Sequence, residues 1–286
     1  MYRKAAGLAL AGALLGGAAA CSGDGSAQPD RKSVSKPVRV TLAAAIERAA
    51  AKNEKLTSLS YRMTGRIPGQ GSLEARAAIG FKPAVMRMNM TQKDAAQSGE
   101  VEMRLVGGAF YINGGKDAAD ELDGKSWIKF DLSAMGKSAG GQDPFAGVGR
   151  ADRNPAEDSE SLTAAKDLRK VGPQTVDGVA TTHYTGTVQL ATMRQSLVKE
   201  DAATRKRREK SLEEYEKMGV SSLSMDMWID GNDQTKQFRI RAKGTKGPLD
   251  LTMTFLDYNK PVVVTAPPAS ETADLAEMFK GAGQEP

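Results

Sequence analysis

From Leu59 the chain alternates apolar and polar residues with a period of two: Leu59, Tyr61 and Met63 stand against Ser60, Arg62 and Thr64. That is the spacing of a half-buried strand. After the turn Pro68-Gly69-Gln70-Gly71, similar short segments run over 72–81, 84–92, 99–106 and 109–113. Lys82-Pro83, Gln97-Ser98-Gly99 and Gly107-Gly108 punctuate them. Hairpin-length spacing predicts an antiparallel meander. Residues 126–131 read as a further strand, and 168–176 and 179–190 flank Asp177-Gly178, a strong hairpin signal. Strands at 222–230, 234–243 and 249–258 close the series, with 262–265 as another candidate. The count comes to about ten or eleven strands.

Three segments follow the helical period instead. Over 41–56, Leu42, Ala45, Ile46 and Ala49 share one face, and Thr41 stands where a cap is needed. Residues 154–166 place Pro155 at a first helical position. Residues 191–218 are the most helical of all and contain the basic run Arg205, Lys206, Arg207 and Arg208. Spacings Arg205/Glu209, Lys210/Glu214 and Glu213/Lys217 offset that run along one helix. It reads either as a solvated face or as a contact for anionic lipid headgroups. Residues 137–150, rich in Gly, Ser and Gln, predict a loop. The whole is an α+β protein with its helices in two insertions.

The N-terminus changes where such a domain would work. Arg3 and Lys4 precede an uncharged run to Leu15 and the small residues Gly16 to Ala20, a secretory leader too short at its core for a comfortable span. Cys21, the chain's single cysteine, follows directly. A lone thiol there is the acceptor for diacylglycerol when a lipoprotein signal peptidase cuts after Ala20. The alternative is ordinary cleavage nearby, leaving a free thiol. The expected division is a signal peptide at 1–20, a lipidated tether at 21–38, a folded domain at 39–268 and a tail at 269–286. A Gly- and Ser-containing tether of this length holds the domain on the order of 20 Å from a bilayer.

Without Arg3 and Lys4, the 40 basic residues fall to 38 against 35 acidic, a formal balance of +3. This is too mild to point to nucleic acid. Candidate chemistry is sparse. One histidine, His183, lies in a strand on the face opposite Tyr184, Val188 and Leu190. With Cys21 assigned to acylation, neither a metal cluster, a thiol nucleophile nor a serine triad can be assembled from motifs. No P-loop or dinucleotide fingerprint is present. The expectation is a protein that is not an enzyme and carries no cofactor or metal.

Methionine is the informative residue, at 13 positions. Met63, Met86, Met88, Met90, Met103, Met225, Met227 and Met253 fall in predicted strands, and 86/88/90 and 225/227 repeat on one face. These either fill a core, or line a cavity whose unbranched thioethers adapt to acyl chains. With their neighbours Leu59, Tyr61, Leu105, Tyr184, Val188, Ile229 and Phe255 they form the candidate cavity wall.

Three segments carry a family resemblance. Val176-Asp177-Gly178-Val179-Ala180-Thr181-Thr182-His183-Tyr184-Thr185-Gly186 is similar to a hairpin of actinobacterial lipoproteins of the LppX/LprG type, relatives in fold of the LolA and LolB carriers. Met227-Trp228-Ile229-Asp230 followed by Phe238-Arg239-Ile240 resembles their next strand pair. The segment from Phe255 to Pro267 resembles their closing stretch. The likeness spans roughly 41–268 and is strongest from Val176. It implies an incomplete, half antiparallel β-barrel, LolA-like, with helices across its concave face and a hydrophobic cavity between. It also implies binding of acylated lipids or glycolipids. The long charged segment 199–217 departs from the family pattern and leaves the ligand class open.

Two functions follow as expectations. The first is a lipoprotein held at the extracytoplasmic face of the cell membrane by Cys21, binding a lipid or glycolipid for transfer or envelope maintenance. The second is a non-catalytic interaction or sensor lipoprotein working through surface contacts. An apolar space of several hundred Å³ favours the first, and helices packed to native density favour the second.

Overall fold

In the computed structural model, residues 35–93, 99–131 and 157–282 are described here. The leader, Cys21, most of the tether and the loop at 137–150 lie outside them. Twelve strands form a single sheet in the order β12-β6-β5-β4-β3-β2-β1-β11-β10-β9-β8-β7. In chain order these are β1 Ser58–Ile67, β2 Gly71–Phe81, β3 Ala84–Lys93, β4 Gly99–Val106, β5 Ala109–Asn113 and β6 Trp127–Asp131. They continue as β7 Arg169–Val176, β8 Val179–Gln189, β9 Ser222–Asp230, β10 Thr235–Gly244, β11 Gly247–Tyr258 and β12 Thr272–Asp274.

Two antiparallel meanders, β1–β6 and β7–β11, are thus joined where β1 pairs with β11. The two outermost strands, β12 and β7, do not pair with each other, so the sheet stays open. Edge strands invite unwanted pairing. At β7 a register shift between Lys170 and Gly172, and Pro173 with no N–H to donate, blunt that edge. At the other end β12 is three residues long.

The extra strand is the main difference from the sequence reading. Residues 262–265 form no strand. They belong to an extended strap that leaves β11 and crosses the sheet. Ser58 donates to the Lys260 carbonyl at 2.5 Å, a Cβ on Gly80 would lie 3.8 Å from Val262, and Arg104 donates to the Thr265 carbonyl at 3.1 Å. The strap ends by pairing β12 in parallel with β6. Residues 269–282, expected as part of a tail, therefore pair and pack with the sheet. They include a C-terminal helix, Leu275–Ala282.

Helix α1, Ser35–Asn53, contains the predicted amphipathic segment and starts earlier. Its Ala45, Ile46 and Ala49 are buried in the main core. A short helix α2, Gly115–Glu121, was not anticipated. Of the predicted helix at 154–166, residues 154–156 lie outside the described ones and Glu157–Ala164 is a 3₁₀ segment. It sits close on β8 because Gly186 has no side chain: a Cβ there would lie 2.6 Å from the Ala165 methyl. The single helix expected over 191–218 is broken in two, α3 Leu190–Ser196 and α4 Ala202–Lys217, with a 3₁₀ turn, Leu197–Lys199, between. Asp201 explains the break. Its carboxylate accepts from the Thr204 N–H at 3.1 Å, capping a new helix. The C-terminal helix Leu275–Ala282 is α5.

Candidate ligand-binding face

Period-two alternation sends every second residue of each strand to one side of the sheet, and register decides which of them touch. One row reads Tyr184, Met227, Phe238, Met253, Met63, Ala75 and Met90 across β8, β9, β10, β11, β1, β2 and β3. A second reads Tyr61, Ala77, Met88, Met103 and Ile112. A third reads Leu59, Ile79, Met86, Leu105 and Phe110. Two central positions of β2 are therefore alanines with thioethers on their neighbours, so the floor carries its smallest side chains between larger ones.

All of the sequence-selected wall residues lie on this face. Leu59, Tyr61, Met86, Met88, Met103, Leu105, Tyr184, Val188, Met225, Met227, Ile229 and Phe255 are buried in one apolar cluster, and Met63, Met90 and Met253 are half-buried against it. Periodicity alone missed Ala75, Ala77 and Phe238 as floor, and Leu162, Leu197, Leu212 and Leu223 as the facing layer and its seat. Phe238 alternates with Ile240 and was visible in principle. The alanines carried no signal of their own. Burial pushes the Tyr61 hydroxyl up to about 12 and raises that of Tyr184, so both stay neutral phenols across the physiological range.

α1, the 3₁₀ segments, α3 and α4 cover the face. The space left beneath α4 is a cleft of about 30 Å³. That holds a water or two rather than an acyl chain. Its floor is Leu223, Met225 and Ile240, Leu197 and Leu212 close it from the helical side, and Ser161, Ser196, Arg208, Ser211 and Tyr215 stand around it. A wider concavity of about 530 Å³ lies elsewhere on the sheet, where Thr187, Ser222, Ser224, Arg241, Lys243 and Asp250 stand with Ala242, Pro248 and Leu249, so its lining is mixed. Neither of these two spaces, both lined by described residues, is the open apolar space of several hundred Å³ that a bound lipid would fill.

The basic run is only partly turned to solvent. Arg208 pairs with Glu200 at 2.7 Å and Arg205 donates to the Glu200 carbonyl at 3.2 Å. Lys206 is exposed. Among the expected offsetting charges, Lys217 pairs with Glu214 three residues back.

On the opposite face, His183 stacks on Trp228 with ring centroids 4.3 Å apart, and its Nε2 lies 2.9 Å from Asp226 Oδ1. A carboxylate only accepts, so Nε2 carries the proton. Asp226 also receives Arg241 Nη2 at 2.6 Å, while Trp228 Nε1 donates to Gln174 at 2.6 Å. Burial works to raise the Asp226 pKa, but hydrogen bonds from His183 and Arg241 and the Arg241 charge outweigh it and hold the carboxyl below its ordinary value. Among the described residues no group of three or more His, Cys, Asp or Glu is disposed to hold a metal, and no helix is long and apolar enough to cross a membrane.

No protein-family model matches the chain. Its sequence is 28% identical over 231 residues to an uncharacterized protein of Streptomyces griseus encoded between rplA and rplJ, covering 80% of this chain and 73% of that one. It is 26% identical over 251 residues to a candidate lipoprotein of Streptomyces coelicolor, covering 83% and 75%. Among solved structures, LprF from Mycobacterium bovis superposes with a TM-score of 0.50 at 15% identity, over 80% of this chain and 97% of LprF. The chain is therefore similar to actinobacterial proteins in sequence and to LprF in fold, which bears out the resemblance to the LppX/LprG-type lipoproteins read from its hairpin and closing segment.

Proposed function

We propose that the protein is a non-catalytic lipoprotein, anchored through acylated Cys21 at the extracytoplasmic face of the membrane, that holds an acylated lipid or glycolipid between its sheet and its helices. The observation that carries this reading is the pair of small side chains at Ala75 and Ala77 flanked by Met63, Met88 and Met90. Thioethers have three rotatable bonds and little shape preference, so they pack beside the alanines when no ligand is bound and swing aside for a chain. Each methylene removed from water contributes about 0.8 kcal/mol, so a long acyl chain offsets a lid-opening cost of several kcal/mol. The fold likeness to LprF and the Streptomyces relatives support a lipoprotein role.

Native mass spectrometry of the protein gently extracted from its own membrane tests it. The expected spectrum contains a bound-lipid mass that organic extraction removes and added lipid restores. Protein that arrives without lipid, and takes none up, sinks the reading. The second reading, an interaction or sensor module with a core filled by its own helices, is favoured by the small cleft under α4. It predicts that empty spectrum.

A further inference from the structure

Two helices lie on the same face with unequal hold. α1 buries Ala45, Ile46, Ala49 and Ala50, and Asn53 donates to Thr235 at 3.1 Å from a buried position. α4 spans 16 residues, and Leu212 is its one buried side chain among those described. Its link to α3 includes the ion pair of Arg194 and Glu216 at 2.8 Å, both about half exposed. Local opening free energy follows buried apolar contact, so α4 opens first.

What α4 covers has two chemistries. The floor is apolar and leads from Leu223 and Ile240 through Met225 to Met227, the next position on the same face of β9, and so into the methionine row. The polar side chains around the cleft, Ser161, Ser196, Arg208, Ser211 and Tyr215, are hydroxyls and one guanidinium, and among the described residues no acidic one lines it. Arg208 is held there by Glu200 through Nη1. A guanidinium presents five N–H donors in a fixed fork, a geometry that matches the oxygens of a phosphate or carboxylate.

We infer that this cleft is the mouth of the lipid site and a headgroup subsite: α4 lifts, an acyl chain passes over Met225 into the methionine row, and an anionic phosphate or carboxylate headgroup lies on Arg208 and the surrounding hydroxyls. This rests on the lipid-binding reading above and adds the sign of the headgroup and the way in.

The test titrates the purified protein, below micelle-forming concentrations, with lysophosphatidylglycerol and with monoacylglycerol bearing the same palmitoyl chain. Inorganic phosphate forms a third arm, with native mass spectrometry as the readout throughout. A charge-assisted contact predicts about tenfold tighter binding of the anionic amphiphile. Arg208→Gln erases that preference and Arg208→Lys restores part of it, while circular dichroism and thermal unfolding matching the parent protein show that both variants are folded. Equal affinity for the two amphiphiles, or a preference that survives Arg208→Gln, overturns the subsite and leaves lipid binding standing. Phosphate binding alone with the same dependence on Arg208 also overturns it, since the site is then an anion site with no use for a chain. Failure of both amphiphiles to bind overturns the subsite together with the lipid reading.

Discussion

The two faces of strands β8 to β11 are built from alternate residues of the same segments, yet they behave as different materials. Tyr184, Met227, Phe238 and Met253 make one row, all apolar bodies with no directional demands between the thioethers and the ring. One residue away, Thr185, Asp226 and Arg239 make a row in which geometry is specified atom by atom. Thr185 donates to the Met225 carbonyl at 3.2 Å, Asp226 takes His183 and Arg241, and Arg239 pairs with Asp250 through Nε at 2.7 Å and through Nη2. Directional bonds in a low-dielectric setting hold a backbone in place. The lesson is a division of labour: the polar face keeps the strands in register so that the apolar face can repack without losing the sheet.

Removing the centre of the polar network breaks that division most severely. Asp226 is 4% exposed, and Asp226→Ala leaves His183 and Arg241 without their acceptor. The expected loss is about 3 kcal/mol in denaturant unfolding, chiefly from the buried His183 N–H left without an acceptor, since solvent screens the partly exposed Arg241. Acid gives the same comparison without a mutation. The Asp226 pKa is depressed in the folded state, so its contribution is complete above the unfolded value of about 3.9 and disappears as pH falls through the folded one. Asp250, held low by its hydrogen bond to Arg239, contributes with the same sign. The urea midpoint stays level down to about pH 5 and drops below about pH 4, and the variant shows a shallower drop. A variant with an unchanged acid limb assigns that limb to other carboxylates.

The apolar face answers differently to the same kind of cut. Met227 is fully buried, and Met227→Ala costs about 2–4 kcal/mol through the cavity it leaves. Met227→Leu keeps the volume and costs under about 1.5 kcal/mol. If adaptability is the purpose of the thioethers, Met227→Leu narrows the range of acyl lengths retained in native mass spectra while leaving stability nearly intact. An unchanged range makes the methionines ordinary core.

That face was largely legible before the structure, and the polar one was not. Strand membership, the one-sidedness of Met86, Met88, Met90, Met225 and Met227, and the Asp177-Gly178 hairpin all follow from local alternation and turn chemistry. Partners across the sheet do not. His183 and Asp226 are 43 residues apart, and no local pattern distinguishes a carboxylate that will be buried from one that will face water. The strap and β12 were missed for a related reason, since three residues pairing in parallel with a distant strand show no period. The helix break at Asp201 did carry a signal, an N-cap aspartate, masked by strong helix formers on both sides.

Ala77 offers a gentler way to sharpen the comparison, because a substitution there changes the shape of the apolar face and leaves the Asp226 network on the other face alone. It lies between Tyr61 and Met88 in register. Ala77→Leu overpacks this position, at about 1–3 kcal/mol. Lipid uptake falls by much more than stability if the chain lies over Ala77. Equal loss of both marks Ala77 as packing alone.

The smallest effect concerns the hold on α4. Arg194 and Glu216 are both about half exposed, and such pairs contribute a few tenths of a kcal/mol, screened further by salt. Arg194→Gln therefore leaves global unfolding within about 0.5 kcal/mol of the parent protein. Hydrogen exchange separates a lid from a fixed layer where a melt cannot. If α4 opens on its own, losing a few tenths of a kcal/mol speeds exchange over 202–217 about twofold, while α1 and the central strands exchange as before. Exchange that speeds equally in α1 and α4 means the two helices open as one unit. The unequal burial of Ile46 and Ala49 against Leu212 would then have no dynamic consequence, and any ligand would have to reach the methionine row another way.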